Sequence, residues 1–434
     1  MLGRLSSWLS TDHFSVGAGL TRISLGAWAV FSYTLFWRDR QLLWGPHGIY
    51  PFDRFMADDP FLNLFAISPS PVFVDALYLA GVAIAVLFTV GYWTRVMTFL
   101  HWLMIWSIQT RNDFLGDGGD NIMRIVLFFM IFVNAGAVLS LDSTRKPWRG
   151  RALVQPVLAV VHNFAVLAIV LQLAFLYMST GLYKAMGELW QNGTALYYIL
   201  RVDAFSWPGV AEYIYRNPYI VVGATYGTVL FEITFGPLLL NRWTRLLSVI
   251  PAGFLFHLGI GAVMGLTTFA WSMLSLYPLL VTDGEYQAAG GWIRRQFGLT
   301  VYYDGWCPAC TRSVRWLDRL DLFSLLRFVS FRGLVSVDQR RAERRILSVD
   351  GRGRMREGMD VMLQIATRSP LLWPLVIPVW LIRLVAGQRP YDAVASRRLI
   401  LVPGPCADHC AVESEPKGPS APEGVSSARP GLRP

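Results

Sequence analysis

The sequence is divided into apolar stretches long enough to cross a lipid bilayer, and that property limits the fold more than any other. A helix rises about 1.5 Å per residue, so about 20 apolar residues span the hydrocarbon core. Windows of this kind lie at 14–37, 72–93, 121–141, 156–183, 218–240 and 243–265, with shorter ones at 96–110 and 267–282. Inside a bilayer the backbone must satisfy its own hydrogen bonds, which makes each window a helix. With 54% hydrophobic and only 16% charged residues, the chain is too apolar for an ordinary soluble domain. The pattern predicts an all-α polytopic membrane domain of about eight transmembrane helices over residues 1–290. The run from Phe14 is too long for the apolar part of a cleavable signal peptide.

Positive residues in short loops resist translocation and so report orientation. In the eight-helix scheme Arg95, the group Arg145, Lys146, Arg149 and Arg151, then Arg242, Arg245, Arg294 and Arg295 all fall on one side. The opposite loops carry Asp39, Asp53, Asp58, Asp59, Asp113, Asp117, Glu188, Asp203 and Glu212. This predicts a multi-pass protein of the cell membrane with both termini cytoplasmic and Lys184 at the outer face. The formal net charge of +10 does not point to nucleic acid, because the basic residues sit in short loops and in the last third without an aromatic-interleaved basic face. The expected partner of the apolar part is the lipid bilayer.

Charge within a span is costly, so each instance is either a functional residue or one half of a structural pair. Arg22, Arg124, Lys184, Glu232 and His257 form that set, with His101, His162 and Gln172 as weaker members. Arg22 and Glu232 both lie about 12 Å from the cytoplasmic edge by helical rise, and this predicts that they pair. His257 lies about 20 Å from that edge, nearer Lys184. Lys184 itself is open to two readings, an interfacial anchor whose stem snorkels or a chemical group. The acidic, glycine-rich loop 111–121 reads as a solvated turn, with a divalent-cation loop as the alternative.

Gly181, Leu182, Tyr183 and Lys184, then Trp190, Gln191, Asn192 and Gly193, with Phe256 and His257 later, resemble the membrane domain of vitamin K-dependent gamma-carboxylase. That domain is shared with the bacterial HTTM (horizontally transferred transmembrane) proteins, and the resemblance covers about residues 10–285. It implies Lys184 as the base that takes a proton from a quinol and His257 as a functional histidine, with a quinone in the membrane domain as the implied cofactor. Such a base must spend part of its time as the neutral amine. Tyr183 stands where the carboxylase has a second lysine, and a carboxylase-like activity stays open. The stretch Asn192 to Tyr198 resembles the HTTM-type proteins of sporulation-delaying killing-factor operons, which implies a role in maturing or exporting a secreted peptide.

A second chemistry begins at Leu299. The order strand, tight turn, Cys307, Pro308, Ala309, Cys310 and helix places a cysteine where free backbone N–H groups and the positive end of the helix dipole stabilise a thiolate. Pro308 suits the first helical turn because it has no N–H to leave unpaired. Cys310, one turn on, is placed to attack a mixed disulfide at Cys307. The competing reading is a zinc site completed by Cys406, His409 and Cys410, but the strand-to-helix context favours the redox motif and no metal is expected.

Asp304, Gly305, Trp306, Cys307 and Cys310, then the run from Asp350 to Gly358 and the run from Tyr391 to Arg398, are similar to the DCC family of thiol–disulfide oxidoreductases over residues 297–402. The resemblance implies an α/β thioredoxin-like C-terminal domain, catalytic Cys307 and Cys310, a proton-accepting role for Asp304, and a protein or peptide thiol or disulfide as partner. The apolar run 370–385 reads as core or membrane-facing surface of this domain. Residues 403–434, rich in Pro, Gly, Ser and Glu without aromatics, read as a disordered tail.

Overall fold

The computed structural model describes residues 2–144, 151–207, 209–321, 323–332, 334 and 337–401, so the tail from 403 and with it Cys406, His409 and Cys410 lie outside the described residues. The chain divides into two compact units, Met1–Gln287 and a second that begins at Ala288.

The first unit is helical. Each of the eight apolar windows forms a helix: Ser15–Leu35, Pro71–Val90, Thr94–Arg111, Gly118–Met130, Arg151–Met186, Pro218–Leu239, Ile250–Met264 and Thr267–Leu274. Among the described residues four helices are long and apolar enough to cross a membrane: Pro71–Val90, Leu153–Ala185, Pro218–Leu239 and Arg242–Met264. The other four fall short in length or apolarity. The window expected over 121–141 is a helix only to Met130, and its 13 residues rise about 20 Å, less than a bilayer core.

Local chemistry sets the ends of these helices. Pro71 and Pro218 occupy first-turn positions, and the Asn217 side chain accepts the N–H groups of Tyr219 and Ile220. In the loop 111–121 the carboxylates have a structural use. Asp117 accepts the N–H groups of Gly119 and Asp120, and Asp120 accepts the Asp117 N–H in return, a capping box for the helix Gly118–Met130.

The expected pair of Arg22 with Glu232 is not made. Arg22 is wholly buried and spends its guanidinium on carbonyls: Nε donates to Ala135 O at 3.1 Å, Nη1 to Phe88 O at 2.8 Å and Thr89 O at 2.7 Å, and Nη2 to Leu139 O. The Phe88 and Thr89 carbonyls belong to the last turn of the helix Pro71–Val90, where backbone donors run short; Phe88 O keeps only the Gly91 N–H at 3.1 Å. Arg22 therefore ends a helix from the side, and Gly91, at φ +71°, leaves the space its guanidinium needs. His162 is structural too. Its Nδ1 accepts the Asn134 N–H at 3.0 Å and its Nε2 faces His13 O at 2.6 Å.

The second unit carries a four-stranded mixed sheet in the order β2-β1-β3-β4, with β1 Leu299–Tyr303, β2 Leu326–Ser330, β3 Leu347–Asp350 and β4 Met355–Glu357. β1 and β2 run parallel and are joined through the helix Pro308–Leu320, while β3 and β4 are antiparallel to their neighbours. Leu299 and Val301 alternate into a core with Leu326, Val361, Ile365 and Leu372. The run expected as core or membrane-facing surface splits between the two. Leu372 is buried, whereas Trp373, Ile377, Trp380, Leu384 and Val385 stand exposed on the segment Pro370–Ala386.

Candidate functional site

Two constellations carry chemistry, one in each unit. In the first, the long helix Arg151–Met186 puts Tyr177, Gly181 and Lys184 on one face, since residues spaced by three, four and seven stack along a helix. Lys184 Nζ donates to both oxygens of Glu232 at 2.7 Å, with the Trp190 ring 5.4 Å from the ammonium. Glu232 comes from the helix Pro218–Leu239, and the two helices approach so closely because Gly181 has no side chain: a Cβ there would lie 2.8 Å from the Glu232 Cβ.

Two turns earlier the Tyr177 hydroxyl bonds His257 Nε2 and, at 2.7 Å, the Tyr277 hydroxyl. Gly253 makes room for that hydroxyl, since a Cβ on it would meet Tyr277 Oη at 1.8 Å. Lys184, Glu232, Tyr177 and His257 line one cavity of about 450 Å³ whose other walls are mostly apolar, among them Leu196, Ile220, Phe256 and Phe269. The structure thus brings the two expected residues, Lys184 and His257, to one cavity. It adds Glu232, which was expected to pair with Arg22 instead, and Tyr177, whose hydroxyl is held by Tyr277; sequence reasoning singled out neither tyrosine. The spacing of seven between Tyr177 and Lys184 was the available signal. Both oxygens of the buried Glu232 carboxylate are thus engaged by the Lys184 ammonium.

In the second unit β1 delivers the chain into the turn Asp304, Gly305 and Trp306, and Cys307 caps the helix Pro308–Leu320. Its Sγ accepts the Cys310 N–H at 3.4 Å, and its carbonyl accepts the Thr311 N–H at 3.0 Å. Neither cysteine is in a disulfide; Cys307 is 2% exposed and Cys310 is more open. Asp304, 5% exposed, is not a free carboxylate. Arg332 grips it with Nε at 3.0 Å and Nη2 at 2.8 Å, and a further bond comes from the Trp306 N–H at 3.1 Å. The same guanidinium reaches Glu343 at 2.7 Å and lies 4.6 Å from the Trp306 ring centre. The Asp304 carboxylate bond is the first of the contacts that hold Arg332 above its ordinary range of protonation. Arg332 follows β2, 28 positions from Asp304, and no local motif announced it. Among the described residues no group of three or more His, Cys, Asp and Glu side chains is placed to hold a metal ion.

With this geometry in view, the matches to known proteins fall on the same two units. Residues 22–283 match the HTTM domain. The chain belongs to the HTTM family. Residues 301–402 match the DCC1-like thiol-disulfide oxidoreductase domain, so an HTTM domain and a DCC1-like domain share one chain. The HTTM match and the apolar helices mark a membrane protein. The uncharacterized protein YitO of Bacillus subtilis (strain 168) is 25% identical over 219 residues, 49% of this chain and 69% of its own length. The sporulation-delaying protein SdpB of the same organism is 25% identical over 200 residues, 44% of this chain and 59% of its own length. No solved structure matches.

Proposed function

We propose that the protein is a thiol–disulfide oxidoreductase of the cell membrane whose exchange chemistry runs at Cys307 and Cys310 of a thioredoxin-like domain. The observation that carries this is the Cys307 sulfur at the N-terminus of the helix Pro308–Leu320, bonded to the Cys310 N–H. Backbone N–H groups there favour the thiolate, which is the attacking form. The parallel pair β1 and β2, followed by the antiparallel β3 and β4, supports the thioredoxin-like reading.

In the exchange, the Cys307 thiolate attacks one sulfur of a partner disulfide, forming a mixed disulfide and expelling the partner's other sulfur as a thiolate, which takes a proton. The Cys310 thiolate then attacks Cys307 Sγ and releases the second partner thiol. The pair has lost two electrons and two protons, and the partner has gained them. With both termini cytoplasmic and eight spans in the membrane domain, the pair faces a reducing compartment and works as a reductant. Differential alkylation in membranes tests this. Cys307 and Cys310 cycle with added disulfide oxidant and ignore a zinc chelator; a pair that reacts only after metal is stripped sinks the reading.

The HTTM domain supports a second reading. Its cavity of about 450 Å³, mostly apolar, with Lys184, Glu232, Tyr177 and His257 as its chemical groups, fits a quinone in size and chemistry. Lys184 and Glu232 would hold the ring hydroxyl, and such a group supplies two-electron chemistry. The discriminating comparison is Lys184→Arg against Cys307→Ser. Activity lost in the first and kept in the second assigns it to the membrane cavity. The likeness to SdpB supports a further role in maturing or exporting a secreted peptide, which a peptide-secretion assay in cells tests against the same two variants.

A further inference from the structure

The turn that carries Cys307 holds a negative group of its own. Asp304 and Cys307 belong to one hydrogen-bonded turn, the Cys307 N–H donating to Asp304 O at 3.3 Å. An unpaired carboxylate in such a turn would disfavour a second negative charge on a neighbouring sulfur. Arg332 is the group that pairs with Asp304, while its Nη1 also holds Glu343 at 2.7 Å. Its fork takes both Asp304 oxygens, and its planar face lies over the ring of Trp306, the residue between Gly305 and Cys307. Gly305 completes the fit by lying against β2, where a Cβ would come within 2.5 Å of Ser330 Oγ.

We infer that Arg332 is a positioning residue of the dithiol site, cancelling the charge of Asp304 and clamping the turn 304–307 so that Cys307 forms its thiolate at the helix N-terminus. Asp304 is then a structural anion. Both of its oxygens are engaged by Arg332, and one also accepts the Trp306 N–H, which ties the carboxylate to the turn. Loosening the clamp frees the turn that leads into the buried Cys307 and opens its sulfur to reagents.

This inference rests on exchange at Cys307, and one experiment separates the two. The full chain in membranes is alkylated with iodoacetamide across pH, and the Cys307 peptide is quantified by mass spectrometry. The midpoint of the profile reports thiolate formation and its plateau reports access. Arg332→Met is expected to raise the midpoint, slowing alkylation at pH 7 by roughly tenfold for a shift of one unit, while raising the plateau. Arg332→Met with Asp304→Asn restores the midpoint without restoring the plateau. Arg332→Lys, which keeps the charge and loses the fork, raises the plateau and leaves the midpoint near its original place. An unmoved midpoint in Arg332→Met, or a moved one that Asp304→Asn fails to restore, overturns the role of Arg332. If Arg332→Met does not fold, the lysine variant alone decides, and a plateau unchanged from the parent rejects the clamp. If the parent pair does not cycle with oxidant, the exchange reading fails instead.

Discussion

Gly181 lies against Glu232 so closely that a single added carbon at 181 would fall 2.8 Å from the Glu232 Cβ. This approach brings the carboxylate within reach of Lys184, one turn along the same helix. Gly181→Leu is expected to push the two helices apart and cost about 1–3 kcal/mol, the usual penalty for overpacking. Gly223, on the same helix as Glu232, has nothing within 4 Å of a built Cβ, so Gly223→Ala is expected to be neutral or mildly stabilising. Thermal unfolding of the two variants in detergent checks the contrast. Equal losses would mean that the close approach does not matter.

The ion pair itself gives the next prediction. Glu232→Leu alone leaves the Lys184 ammonium facing an apolar cavity, and breaking such a pair from one side costs about 3–5 kcal/mol. Lys184→Met combined with Glu232→Leu should recover most of that stability, because it removes both charges at once. A double variant as unstable as the single one would show that the carboxylate serves something other than Lys184.

Much of this was legible in the sequence, and what was not has a physical reason. Apolar windows gave helices at all eight places, because hydrophobic length is a local property. The dithiol turn was legible for the same reason, since strand, cap, proline and cysteines are consecutive. Partnerships across the fold were not. Depth along a helix says how far Arg22 and Glu232 lie from an edge but nothing of which faces they occupy, so equal depth predicted a pair that the structure replaces with two other sets of partners. Arg332 was invisible because its only signal is a contact that the fold creates.

Arg22 should therefore be tested against carbonyls rather than against Glu232. Arg22→Met takes the arginine donors from the Thr89, Ala135 and Leu139 carbonyls, at about 1–3 kcal/mol for each buried group left unpaired, while Phe88 O keeps the Gly91 N–H. Folding of the membrane domain, read as monodisperse yield, is expected to collapse. Exchanging the charges, Arg22→Glu with Glu232→Arg, should give no rescue. Recovery in that double variant would restore the pair the structure rejects.

Acid sensitivity of the second unit follows from its ion pairs. Asp350 is held below its ordinary range first by the backbone N–H of Arg354, and Asp392 first by its bond to Arg345. A carboxylate depressed in the folded state binds its proton later than in the unfolded chain. Its stabilisation is therefore full above about pH 4, the unfolded value, and is lost as pH falls through the lower folded value. Asp350→Asn should flatten the fall in stability below that point, with accessibility of Cys310 as the probe. A variant whose acid response matches the parent would remove Asp350 from the account.

The segment Pro370–Ala386 carries the last prediction. Trp373, Ile377, Trp380, Leu384 and Val385 are exposed within 13 consecutive residues, and the segment meets the length and apolarity of a span only if joined to Arg389–Ser396 across a bend of 96°. Exposed apolar surface on this scale is costly in water, and the chain's own spans hold a bilayer close at hand. A straight crossing is at odds with a right-angled bend, whereas a segment lying in the interface accommodates it and suits the amphipathic rings of its two tryptophans. A fluorophore at Ile377→Cys, in a background lacking the four native cysteines, should be quenched by lipids brominated near the headgroup and less by those brominated at the chain ends. Strongest quenching from the chain ends would make the segment a further crossing, and no quenching by either lipid would take it out of the membrane.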